Sequence, residues 1–140
     1  MIPILYINCS SAPYVDDIMR HLKLYETRSR DTLRSLVGRR VLIAQTGKGP
    51  SVVMCSARIR SGFELTTEAA WNMFRKYTRV PEGDRYDWTP STRSRWLYEL
   101  VDVCPVPVPF HPADGVRHGR VWMEYAGKFP VSGMKYDWRQ

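Results

Sequence analysis

The sequence predicts an α+β domain built on a small mixed, mainly antiparallel β-barrel of about six strands, with two or three flanking helices. Three observations carry this prediction: short apolar stretches separated by turn residues, two helical stripes of apolar residues, and no regular alternation of strand and helix. The length of 140 residues suits one domain, 1–140, in which we expect the segment from about 126 to 140 to be an irregular tail.

The first sixty residues predict four strands and one helix. Ser10 or Ser11 is expected to cap the helix and Pro13 to help start it. Its apolar stripe consists of Val15, Ile18, Met19 and Leu22. The predicted strands are 2–8, 23–30, 39–45 and 51–60, of which the last two are joined by a glycine-rich turn at 46–50. In the fourth strand, alternation predicts one face formed by Val53, Cys55, Ala57 and Ile59.

The rest of the chain predicts a second helix, a long loop and two strands. Thr66 or Thr67 is expected to cap the helix, with an apolar stripe of Ala70, Met73, Phe74 and Tyr77. A polar loop follows at 78–94, and its length is typical of functional loops. The first predicted strand is 95–104, which we expect to end at the prolines 105, 107, 109 and 112. The second is 120–125, which follows a turn at Asp114-Gly115. Trp96 and Trp122, which lie within these strands, are expected to belong to the core.

Charge is the first indication of function. The chain carries a net charge of +7, and residues 20–60 contain ten basic and two acidic side chains, so the remaining residues sum to −1. Such a local excess is typical of a surface that binds polyanions, although a solvated surface that only favours solubility has the same composition. Arginine outnumbers lysine in this segment, which favours phosphate or base contacts. No basic stretch has a broad apolar helical face, so we expect nucleic acid rather than membrane.

Cysteine usage and the chain start favour a cytoplasmic protein. Cys9, Cys55 and Cys104 are an odd number, lie far apart and lack the spacing of zinc ligands. The three histidines also lack metal-ligand spacing, so no metal or other cofactor is expected. Residues 1–7 have neither a basic lead-in nor a cleavage site and predict a strand instead of a signal peptide.

The segment 21–30 carries the candidate site. The two-residue period of a strand places Glu26, Arg28 and Arg30 on one face, and Lys23 lies at the junction of helix and strand. Glu26 and Arg28 could form a structural ion pair. Alternatively, the lysine and arginine bind an anionic or polar ligand in a cleft, and Glu26 orients them or accepts a hydrogen bond from an amino group.

These residues resemble a known family. Lys23-x-x-Glu26-x-Arg28, after a helix and before a strand, is similar to the G-x-K-x-x-E-x-R signature of the ASCH domain family, relatives of the PUA RNA-binding domain. Residues 41–59 (VLIAQTGKGPSVVMCSARI) resemble the central hairpin of the family, and residues 95–109 followed by 119–125 resemble its closing strands. The similarity spans about 1–125. His21 stands where the family has glycine, a difference expected to reshape the mouth of the cleft.

The resemblance implies a PUA-like barrel and two classes of activity. Most members are regarded as RNA-binding modules, whereas a smaller group are amidohydrolases that deacetylate acetylated cytidine with Lys, Thr and Glu, and some relatives have been described as ribonucleases. Lys23 matches the catalytic lysine. Glu26 occupies the position of the threonine, and Thr27 is one place off. The catalytic glutamate aligns with either Glu68 or Glu82.

We therefore predict a module that binds RNA, another single-stranded nucleic acid or a modified nucleotide in a basic cleft. The predicted binding residues are Lys23, Glu26, Arg28, Arg30, Lys48, Arg58 and Arg60. The alternative is a hydrolase acting on an acylated nucleoside or on RNA, with Lys23 and Glu26 as catalytic residues. A further alternative is a protein-interaction or small-ligand-sensing domain that uses the proline-rich stretch 105–112 and the tail. The aromatic triplets 86–88 and 136–138 are expected either to stack on bases or to cap the barrel.

Overall fold

A computed structural model of the chain describes residues 2–112, 116–118 and 122–125. The strands are β1 (Ile2–Asn8), β2 (Tyr25–Arg28), β3 (Arg40–Thr46), β4 (Val52–Leu65), β5 (Arg95–Phe110), β6 (Val116–His118) and β7 (Trp122–Tyr125). The helices are α1 (Tyr14–Met19), α2 (Glu68–Thr78) and a 3-10 turn (Arg34–Leu36). The predicted turn at Asp114-Gly115, the tail 126–140 and the aromatic triplet 136–138 lie outside the described residues.

The described strands form one mixed sheet in the order β2-β5-β4-β3-β1-β7-β6. β1 and β3 are parallel, and every other neighbouring pair is antiparallel, so the α+β class is confirmed. β2 and β6 end the order without pairing to each other, so the predicted closed barrel is not confirmed within this part of the chain. β7 pairs with residues 2–5 of β1, and among the described strands none pairs with residues 6–8 on that side.

Both faces of the central strands are buried. On one face, α1 and α2 cover a large cluster to which Leu5, Ile43 and Trp71 contribute. On the other face, a smaller cluster includes Ile4 and Leu42. Of the four residues predicted to share the inner face of β4, Cys55, Ala57 and Ile59 are fully buried in the larger cluster, which confirms the pattern for these three, whereas the prediction that Val53 lies on the same face is wrong. A bulge between residues 53 and 55 places Val53 in the smaller cluster and Cys55 in the larger one.

The prediction that prolines end the fifth strand at residue 104 is wrong. β5 continues through Pro105, Pro107 and Pro109 to Phe110. β2 pairs with residues 96–99 of β5, and within the described part of the chain no strand pairs with the proline-bearing half on that side. A missing N–H at an edge removes no ladder hydrogen bond, which explains why the strand tolerates these residues.

Two helix details differ from the predictions. Neither Ser10 nor Ser11 caps α1, since the residue before that helix is Pro13 and no side chain caps it. The hydroxyl of Thr67 caps α2 as predicted, by accepting from the N–H of Ala70. Met73, however, is 74% exposed, because Trp71 is the residue of α2 that enters the core.

Three turns of the chain contain residues with positive φ that bear on the local structure. His21 has φ 60°, the left-handed conformation for which glycine is usual, and it follows the C-cap residue of α1. Arg79 has φ 62° and ends α2. Gly47 has φ 86°, and a Cβ at this position would overlap the side-chain oxygen of Asn8. The turn after β3 therefore needs glycine for both conformation and space.

Candidate functional site

A cavity of about 590 Å³ lies where the C-terminal end of β1 approaches β2. Residues 6–8 of β1 and 26–29 of β2 line two of its sides, and residues from the loop after α2 line a third. The guanidinium of Arg28 donates to the main-chain oxygen of Tyr6 at 3.0 Å and so links two strand edges that are not paired with each other or with another described strand. The cavity therefore occupies the gap between these two edges of the described sheet.

Lys23 is buried in the cavity wall, with 2% of its surface exposed. Its Nζ donates to the main-chain oxygen of Thr78 at 2.7 Å and lies 3.6 Å from Oε1 of Glu26. The same Nζ lies 4.9 Å from the centre of the Tyr14 ring. Thr78 is the last residue of α2, so the ammonium also lies at the negative end of that helix dipole. Burial lowers the pKa of Lys23, although the Glu26 carboxylate acts in the opposite direction.

Glu26 joins Lys23 to Arg28. Its Oε1 accepts from the N–H of Thr27 at 2.9 Å, and its Oε2 accepts from Nη2 of Arg28 at 2.9 Å. The carboxylate is thus held between two cations, as the ion-pair interpretation predicts. The Nε of Arg28 is buried and has no hydrogen-bond partner among the described residues. A ligand acceptor that reached this atom would satisfy a donor that the protein leaves unpaired.

The loop after α2 supplies the opposite wall. The Arg85 guanidinium lies 4.7 Å from the centre of the Tyr86 ring, and both residues line the cavity. The carboxylate of Asp84 accepts from the hydroxyl of Tyr14 at 3.3 Å and from the N–H of Tyr86 at 3.0 Å. Burial, together with the Asp84 charge, raises the pKa of Tyr14, which keeps that hydroxyl protonated.

The lining of the cavity is cationic and aromatic. Among the residues that the structure describes, four cations line it, and Glu26 is the one acidic residue of the lining. The cations are Lys23, Arg28, Arg85 and Arg95. The aromatic members are Tyr6, Tyr14 and Tyr86. Such a lining attracts an anionic group and offers ring faces to a flat partner.

The remaining predicted binding residues do not line the cavity. Arg30 and Lys48 are exposed, in the segments that follow β2 and β3. Arg58 lies 3.8 Å from the carboxylate of Asp102, and Arg60 makes two hydrogen bonds to Glu99. Of the predicted set, the structure therefore brings together Lys23, Glu26 and Arg28.

The residues considered for hydrolysis are also separated. Thr27 lines the cavity next to Glu26. Glu68 is the first residue of α2 and Glu82 lies in the loop after it, and both are exposed and outside the lining. Neither glutamate completes a set of Lys, Thr and Glu around the cavity.

Some lining residues gave only weak sequence signals. Tyr14 follows Pro13 at a helix start, and no motif in the sequence pointed to it as a site residue. Arg95 opens a strand, yet its Nη2 turns back to donate to the main-chain oxygen of Asp87 at 3.1 Å. Arg85 and Tyr86 had a recognisable signal, because an arginine and two aromatic residues lie together in a long polar loop.

Neither a helix that spans a bilayer nor a cluster of metal ligands occurs among the described residues. No helix there has the length and hydropathy needed to span a bilayer. Within the same ranges, no three His, Cys, Asp or Glu side chains are grouped as ligands for a metal ion.

Three solved structures that superpose on this chain are of an ASCH protein. The crystal structure of ASCH from Zymomonas mobilis superposes with a TM-score of 0.64 at 17% identity, covering 78% of this chain and 72% of that one. A serine-to-alanine mutant of the Zymomonas mobilis protein superposes with a TM-score of 0.68 at 16% identity, covering 87% and 86%. A tyrosine-to-phenylalanine mutant of it gives 0.64 at 18% identity, covering 78% and 74%. The likeness establishes an ASCH-type fold, as the sequence resemblance predicted.

No protein-family model matches the sequence, and no curated protein matches it.

Proposed function

We propose that this protein binds RNA, or a single modified nucleotide, in the cavity between β1 and β2. One observation carries the proposal: four cationic side chains and three tyrosines of the described chain surround a cavity of about 590 Å³, with one carboxylate among them. A nucleotide combines an anionic phosphate with a flat polar base, and this lining offers a partner to each part. The ASCH-type fold and the sequence resemblance to RNA-binding modules support the same proposal.

The cationic side chains of the cavity, and not the basic segment 20–60 as a whole, supply the charge for binding. Several basic residues of that segment are engaged elsewhere, as with Arg60 and Glu99. Arg85 and Arg95 lie outside the segment and line the cavity. The binding charge thus comes from two parts of the chain that the fold brings together.

The roles within the site follow from the contacts. Lys23 has its ammonium engaged by Thr78, Glu26 and the Tyr14 ring, so it holds the wall together. Arg28 keeps an unpaired buried Nε among the described residues and is the natural partner for a ligand acceptor. The Tyr86 ring, backed by the guanidinium of Arg85, provides a face on which a base stacks.

The test is a salt-dependent binding measurement. Fluorescence anisotropy of labelled single-stranded RNA, at about 50 mM and about 200 mM salt, should show affinity falling with salt as phosphate contacts release counterions. Unlabelled nucleoside monophosphates serve as competitors, and gel analysis of the same RNA shows whether it is cleaved. Arg85→Ala should weaken binding.

The matched control for this substitution is Lys76→Ala, which removes one charge from an exposed position of α2 outside the cavity. Absence of binding at the lower salt concentration, or equal losses of affinity in Lys76→Ala and Arg85→Ala, would contradict the proposal.

A second candidate function is hydrolysis of an acylated nucleoside. The buried Lys23, with its pKa lowered by burial beside Glu26, is the observation that favours it. Against it stand the engagement of Nζ with Thr78 and the exposed positions of Glu68 and Glu82. Incubation with acetylcytidine tests this candidate: acetyl release that disappears in a Lys23→Ala variant shown to be folded by circular dichroism would establish the hydrolase, and we expect no release.

A further inference from the structure

The loop that forms one wall of the cavity contains a buried carboxylate, that of Asp87, whose two oxygens each accept two hydrogen bonds. Oδ1 of Asp87 accepts from the indole N–H of Trp71 and from the main-chain N–H of Trp88, both at 2.8 Å. Its Oδ2 accepts from Nη1 of Arg75 at 2.8 Å and from the main-chain N–H of Gly83 at 2.9 Å. Four donors therefore tie the loop after α2 both to itself and to the helix.

These bonds enclose the lining residues of the loop. Gly83 and Asp87 are joined through the carboxylate, and Arg85 and Tyr86 lie between them. The main-chain oxygen of Asp87 also accepts from Arg95, a further lining residue. Asp87 itself does not line the cavity. It accepts a hydrogen bond from the lining residue Arg95, and the lining residues Arg85 and Tyr86 lie in the segment that its bond to Gly83 closes.

We propose that Asp87 is a positioning residue for ligand binding, which fixes the guanidiniums of Arg85 and Arg95 and the ring of Tyr86 before a ligand arrives. This inference rests on the proposed function of the cavity. Side chains held in place before binding lose less conformational entropy when a ligand orders them, so prior fixation raises affinity. The effect on the ligand passes through the loop, because Asp87 has no direct access to the cavity.

The charge of the carboxylate is essential to this role. All four groups that face the Asp87 oxygens are donors, so both oxygens must accept. In Asp87→Asn, the amide nitrogen would face two donors in place of one oxygen, and these hydrogen bonds would be lost. Burial raises the pKa of Asp87, but the hydrogen bonds from Gly83, Arg75, Trp71 and Trp88 outweigh it and lower this pKa to about 2.

The first measurement needs no ligand. Limited trypsin digestion followed by mass spectrometry reports cleavage after Arg85, which a fixed loop resists. Asp87→Asn should speed this cleavage about 10-fold or more, in line with the removal of charged hydrogen bonds. Arg75→Met removes one of the four donors and should give an intermediate rate, which provides a milder variant. Asp16→Asn, at an exposed position of α1, is the control for the removal of one acidic charge.

The second measurement uses labelled single-stranded RNA as the probe. Asp87→Asn should weaken binding about 10-fold, and the slope of log affinity against log salt should decrease by roughly 0.7 for each guanidinium that no longer engages a phosphate. A reduced stability alone would not change this slope in the folded protein. The double variant Asp87→Asn/Arg85→Ala should bind about as weakly as Asp87→Asn, because an unfixed Arg85 contributes little.

The outcomes separate this inference from the proposed function. Unchanged cleavage after Arg85 in Asp87→Asn overturns the inference whatever the wild type binds. Faster cleavage with wild-type affinity and salt slope also overturns it, while the binding function stands. If wild-type protein binds no RNA and no nucleotide, the proposed function fails and the positioning role fails with it, even if cleavage after Arg85 is faster.

Discussion

Removal of the Lys23 ammonium should destabilise the fold strongly. Glu26 is only 6% exposed, and its carboxylate relies on Lys23 and Arg28 for compensating charge. In Lys23→Met, the carboxylate keeps Arg28 and the N–H of Thr27, while the main-chain oxygen of Thr78 loses its donor. Breaking one side of a buried ion pair costs about 3–5 kcal/mol. Because Arg28 remains, we expect the lower end, about 3 kcal/mol.

The assay is equilibrium unfolding in urea, followed by circular dichroism, with the midpoint compared at equal slope. The double variant Lys23→Met/Glu26→Gln should recover part of the stability, because it no longer leaves a buried carboxylate that has lost one of its two cationic partners. Lys76→Met provides the control at an exposed position of α2. A destabilisation below about 1 kcal/mol in Lys23→Met, in the range of a surface pair, would refute the reasoning.

Three further predictions concern pH, turn geometry and the core. The pKa of Asp87 is about 2 in the folded protein, below its ordinary value of 3.8. Between these two pH values the unfolded chain therefore binds more protons than the folded protein. The ionised Asp87 therefore contributes about 2 kcal/mol to the free energy of unfolding above pH ~4, and this contribution is lost as the pH falls towards ~2. In urea unfolding measured over this pH range, the difference in stability between wild type and Asp87→Asn should shrink as the pH falls. Gly47→Ala should lower the midpoint of thermal unfolding more than Gly49→Ala. Both glycines have positive φ, but of the two only Gly47 lacks space for a Cβ. Equal shifts of the midpoint would contradict the steric conflict at Gly47. Trp71→Ala should lower the free energy of unfolding in urea by about 3–5 kcal/mol. Met73→Ala, at a residue 74% exposed, should change it by no more than about 0.5 kcal/mol. Similar losses in the two variants would contradict the placement of Trp71, and not Met73, in the core.

The sequence determined those features that depend on short-range patterns. Alternation along β4 correctly predicted that Cys55, Ala57 and Ile59 share a buried face, because alternate side chains of a strand point to the same face, whereas the bulge that moves Val53 to the other face left no such pattern. The cap at Thr67 was also predictable, since a hydroxyl accepts from nearby N–H groups at a helix start. The order of Lys23, Glu26 and Arg28 sufficed to indicate a cluster of charges, as their separation along the chain is small.

Only the tertiary structure decided which other charges join that cluster. Arg85 and Arg95 lie about sixty or more positions from Lys23 and reach the same cavity through the loop after α2 and the first residue of β5. Arg60, which belongs to the same basic segment as Lys23, pairs with Glu99 on a neighbouring strand instead. The course of β5 through its prolines likewise depended on which edge of the strand stayed unpaired. Strand pairing and loop closure set these positions over long separations, and no local pattern of residues encodes them.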